Sequence, residues 1–68
     1  MTSMRYFDYE SVARESGISD SDLEIIKNAV RADYPSDDMM WELHVLRACT
    51  AVRDGRVTVQ EIASRRAA

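Results

Sequence analysis

MMWELHVLRACTAVRDG, residues 39–55, sets ten apolar side chains among its first fourteen positions. Projected at about 100° per residue, these fall into two stripes of one helix. Met39, Leu43 and Leu46 form the first, and Trp41, Val45, Ala48, Cys49 and Val52 the second, with Glu42 and Arg53 between them on one flank. A surface helix carries one apolar stripe and needs one cover. Two stripes need two, so this helix is expected at the centre of the fold. In so short a chain, part of its apolar circumference is expected to be left for a partner.

Working outward, the boundaries of the neighbouring helices are written in their caps. Phe7-Asp8-Val12, Ile18-Ser19-Leu23 and Val57-Thr58-Ile62 each place an apolar residue before a cap and another at the fourth helical position, the hydrophobic-staple spacing. Ser19 to Asp22 and Thr58 to Glu61 also have capping-box spacing. Gly17 and Gly55 can take the left-handed conformation that ends a helix, and Pro35 forces Tyr34 out of helical geometry. Asp37 and Asp38, behind Ser36, suit the positive end of a helix dipole. The reading is an all-α bundle of four helices at about 9–16, 20–33, 37–54 and 59–66, the third central. Phe7, Val12, Ile18, Leu23, Ile26, Val30, Leu43, Leu46 and Ile62 are its expected core. One small domain spans 1–68, with loose ends at 1–5 and 67–68.

A domain of this length buries only about 60% of the surface its unfolded chain exposes, so its core is marginal. Disulfides, structural metals or oligomerisation commonly supplement such cores. The single cysteine, Cys49, excludes an internal disulfide and a cysteine-rich zinc site. Self-association, most simply as a homodimer, or a protein partner is therefore the expected supplement, with Met39, Met40, Trp41, Val45 and Val52 as the adhesive surface. Methionine adapts to irregular partners, and tryptophan is enriched at binding hot spots. The lone cysteine, with no leader and no run of 18 apolar residues, reads as a cytoplasmic protein.

Two local patterns carry other functional expectations. VARESGISDSDLEII, residues 12–26, resembles the helix-turn-helix of bacterial repressors: Ala13 is the small residue of the first helix, Gly17 lies in the turn, and Val12, Ile18, Leu23 and Ile26 match the apolar positions. The resemblance implies a DNA-binding helix presenting Ser19, Ser21 and Asn28, but also Asp20 and Glu24, to the groove. Residues 8–42 hold ten acids against three bases, a net of −7, and carboxylates facing phosphates oppose binding. Residues 43–68 hold five arginines against two acids, a net of +3. Such a divided chain suits pairing of two antiparallel copies or docking on a charged protein. TAVRDGRVTVQE, residues 50–61, looks like the end of a calcium-binding EF-hand loop, yet Thr50 and Val52 stand at the first and third ligand places. No calcium, other metal or cofactor is expected.

Catalytic chemistry has little to stand on in the sequence. The only histidine, His44, has no carboxylate three or four residues away to orient it, and Cys49 lies about 140° round the same helix. Apolar neighbours would raise the thiol's pKa rather than activate it. The expected function is a small non-enzymatic interaction or regulatory module, with DNA binding as the alternative and neither a small-molecule substrate nor a membrane implied.

Overall fold

Four short side chains can accept the unpaired N–H groups of a first helical turn. The computed structural model, which describes residues 6–67, starts a helix behind each. Asp8 accepts from the Ser11 N–H ahead of α1 (Tyr9–Glu15), and Ser19 from the Asp22 N–H ahead of α2 (Asp20–Arg31). Asp37 accepts from the Met40 N–H ahead of α3 (Asp38–Arg53), so this residue, expected inside the helix, is its cap. Ahead of α4 (Val59–Ala67) the capping box is complete: Thr58 Oγ1 accepts from the Glu61 N–H at 3.1 Å, and Glu61 Oε1 accepts from the Thr58 N–H at 2.8 Å. At Ser19 only the forward bond forms, because aspartate at the third position is one methylene shorter than glutamate.

The stops are equally local. Gly17 and Gly55 have φ of 77° and 79°. Behind each, two N–H groups fold back onto the last turn: Gly17 to Arg14 and Ile18 to Ala13, then Gly55 to Val52 and Arg56 to Ala51. The second helix ends at Arg31, two residues short of the expected 33, as Asp33 and Tyr34 both turn back to the Val30 carbonyl before Pro35. Ala67, expected in a loose end, is the last residue of α4; residues 1–5 and 68 lie outside those described.

The fold is all-α, with α3 central: it packs on α1 and on α2, while α4 docks mainly on α2. The enclosed core is Tyr9, Ala13, Ile26, Val30, Val45 and Cys49, with Val12, Ile18, Leu23, Trp41, Leu46 and Ile62 among the partly buried residues packed around it. Two expected core residues, Phe7 and Leu43, are half-buried and stand outside this packed set. Tyr9, Ala13 and Val45, absent from the expected core, stand at the centre, and Cys49 is buried there, as its apolar neighbours in the sequence imply. Surface area is 4525 Å², close to the roughly 4,400 Å² of a monomeric protein of this mass.

Candidate interaction surface

The division of α3 differs from the two-stripe reading at one residue. Glu42, expected on a flank, is 7% exposed and lies on the buried face one turn from Val45 and two from Cys49. Its Oε1 accepts from the Tyr6 N–H at 2.7 Å and the Phe7 N–H at 2.9 Å. A buried carboxylate thereby meets two donors that precede α1 and would otherwise lack a helical partner. It holds the lead-in to α1 against α3. The signal was available in the spacing, since 42, 45 and 49 are i, i+3 and i+7; the acidic residue type obscured it.

On one side of this line, the second stripe is covered within the protomer. Val45 is 0% exposed, which corrects its expected place on an adhesive surface: it has no area left to offer. Trp41 is half-buried and held from three directions. Its Nε1–H donates to the Lys27 carbonyl at 3.0 Å, its ring meets Tyr9 edge-on at 5.7 Å, and the Arg31 guanidinium lies 3.9 Å from its centroid. Arg31 also donates to the Tyr34 carbonyl and to Asp38, tying the end of α2 to the start of α3. Val52 is half-buried and points about 140° away from Met39 round the helix, so these two share no face.

On the other side only Met39 of the apolar residues is exposed, with half-buried neighbours, of which Leu46 packs in part on the core. Met39 is 48% exposed, Leu43, Leu46 and Met40 are half-buried, and the four project within about 120° of one another. Tyr6, 50% exposed, is tethered by its own N–H to Glu42, which neighbours Met39 at i−3 and Leu46 at i+4. Of the three large apolar residues exposed on the described surface, Tyr6 is tied to Glu42 through its backbone, Met39 stands one turn before Glu42 on α3, and Ile25 lies on α2. Neither Tyr6 nor Leu43 belonged to the expected surface. Tyr6 could not have been found from the helix pattern, because only the Glu42 tether brings it there.

The remaining candidates are placed as follows. Ser19, Ser21 and Asn28 are exposed on the α1–turn–α2 pair, and so are Asp20 and Glu24. His44 Nδ1 lies 2.9 Å from the Met40 carbonyl, which can only accept; in the neutral ring this leaves Nε2 to accept from the Tyr34 hydroxyl at 3.3 Å. The two rings stack at 4.7 Å. Burial pushes the Cys49 thiol up to about 11. Thr50 and Val52 are helical, so no calcium loop opens there, and no group of three His, Cys, Asp or Glu side chains among the described residues could hold a metal ion. A groove of about 220 Å³, lined by Val30, His44, Arg47, Ala48, Ala51 and Ile62, is smaller than the roughly 300 Å³ at which ligand pockets begin. No described helix is long and apolar enough to cross a membrane. Family models, curated proteins and solved structures include no significant match to this chain, so its reading rests on its own residues.

Proposed function

We propose that this chain is a small non-enzymatic interaction module of the cytoplasm that self-associates through the open strip of α3. One observation carries the reading: α1 and α2 pack on α3, yet Met39 is 48% exposed and Met40, Leu43 and Leu46 on the same arc are only half-buried. Exposed apolar residues scattered singly need no explanation, whereas a contiguous strip is characteristic of a docking surface. The single buried thiol supports the cytoplasmic setting.

Sedimentation equilibrium across a hundredfold dilution tests the proposal. The expected mass approaches that of a dimer at high concentration and falls to that of the protomer on dilution. Met39→Asp and Leu43→Asp should remain monomeric throughout with native helix content. A folded wild-type chain that is monomeric up to millimolar concentration overturns self-association.

A second reading, DNA binding through α2, is favoured by the exposure of Ser19, Ser21 and Asn28 behind a glycine turn. Asp20 and Glu24 on the same exposed stretch oppose it. Titration of duplex DNA at low salt decides it: non-specific affinity is largely electrostatic, so no binding at about 100 μM eliminates this role.

A further inference from the structure

Resting on the self-association reading, the charge pattern along α3 also points to how two copies meet. Met39, Leu43, Leu46, Thr50 and Arg53 follow one another at intervals of four, three, four and three, the spacing of a helix-pairing seam. The seam is asymmetric. Its apolar residues occupy the N-terminal half, behind Asp37 and Asp38, while Arg47, Thr50 and Arg53 occupy the C-terminal half. A parallel pair would set Asp37 and Asp38 beside their own copies at one end and Arg53 beside its copy at the other. Like charges would oppose at both ends, and the helix dipoles would add to the repulsion.

We infer that two copies of α3 pack antiparallel, with Leu43 of each opposite Leu46 of the other. This register sets Met39 opposite Thr50 of the second copy, and Arg53 next to the first turn that begins at Asp37 and Asp38. Two leucine layers lie at the centre, and an arginine meets an acidic helix start at each end. Both groups are paired within the protomer but remain open to solvent: Arg53 bonds to its sequence neighbour Asp54 at 3.2 Å with both exposed, and the Asp38 carboxylate, bonded to Arg31 at 3.0 Å, is still 67% exposed. Two exposed ion pairs related by symmetry, each worth about two- to fivefold in affinity, give the ends a modest total contribution.

Disulfide trapping tests orientation and register together. Met39→Cys chains are mixed with Thr50→Cys chains under mild oxidation; the native Cys49 is buried and stays silent. The expected product is the mixed dimer joining positions 39 and 50, with little Met39→Cys homodimer. Arg53→Glu should weaken association by about tenfold, and Asp38→Lys in the same chain should restore part of it. A dominant Met39→Cys homodimer, or cysteine variants that dimerise by mass but yield no mixed product on oxidation, overturns the antiparallel register while leaving self-association standing. A monomer at every concentration overturns both.

Discussion

At the scale of single residues, Glu42 and Cys49 are the two buried groups whose chemistry has consequences. Glu42 accepts two backbone N–H groups at 2.7 and 2.9 Å, so Glu42→Ala leaves both without their partner and frees the lead-in to α1. Bonds to a charged acceptor contribute about 1.5–3 kcal/mol each, but these donors lie near solvent and can turn to water. A total loss of about 2 kcal/mol is expected, with Glu42→Gln losing less because its carbonyl oxygen still accepts. Urea denaturation of the two variants checks this, and equal losses would rule out the acceptor role. Cys49 acts through its proton. Its thiol, ordinarily near 9.0, rises to about 11 in the fold, so the unfolded chain ionises first as pH climbs. The stability it protects is intact below pH 9 and is lost progressively between pH 9 and 11. At about 1.4 kcal/mol per unit the loss reaches at most roughly 3 kcal/mol. The urea midpoint should therefore fall more steeply from pH 8 to pH 10.5 in the wild type than in Cys49→Ala, and parallel declines would refute the assignment.

At the scale of elements, the glycine stops and the caps are separable from packing. A Cβ at Gly17 or Gly55 would meet nothing within 4 Å, so the cost of alanine at either position is the backbone's alone. Left-handed φ near 78° costs a residue with a side chain about 1 kcal/mol, which in a domain of this size lowers Tm by about 4–8 °C. Gly17→Asn and Gly55→Asn should lose less, since asparagine tolerates that region. Thermal melts of the four variants measure this, and an alanine variant as stable as wild type would contradict the observed conformation. The joint between α2 and α3 rests on Arg31. Arg31→Met keeps the apolar stem over Trp41 but gives up the cation and both hydrogen bonds, for an expected loss of about 1 kcal/mol at this partly exposed site. Because Trp41 is held by α1 and α2 of its own protomer, its fluorescence is expected to follow unfolding rather than dilution.

At the scale of the whole molecule, the packing order α1, α3, α2, α4 makes α4 the peripheral element. It is docked mainly on one neighbour and contributes no residue to the enclosed core. Its amides should exchange with solvent through a local opening of lower free energy than that of the α2 and α3 amides. Native-state hydrogen exchange checks the order, and α4 protection equal to that of α3 would contradict it. Ile62 of α4 shares a groove with His44, Arg47, Ala48 and Ala51 of α3, on the arc of α3 away from Met39 and Leu43. The surface area is ordinary for a monomer of this mass, so any association through α3 is expected to be weak and reversible.

What the residue order determined by itself was most of what contacts within about four positions hold: three of the four helix starts, the two glycine stops, and the number and order of helices, with the start of α3 displaced by one residue. Caps and stops are short-range hydrogen bonds, and side chains three or four apart meet on any helix wherever it docks. Helical spacing also foretold that α3 would be central. Which arc of α3 would be covered was decided only by tertiary structure. Val45 changed from expected surface to core, Leu43 from expected core to half-open strip, and Glu42 from flank to buried tether, because each depends on where α1, α4 and the Tyr6–Phe7 segment come to rest. Those positions follow from contacts distant in sequence, as between Tyr9 and Trp41 or between Phe7 and Glu42, 35 residues apart. No local period encodes such a contact, since the chain must close a long loop before either end gains anything from it.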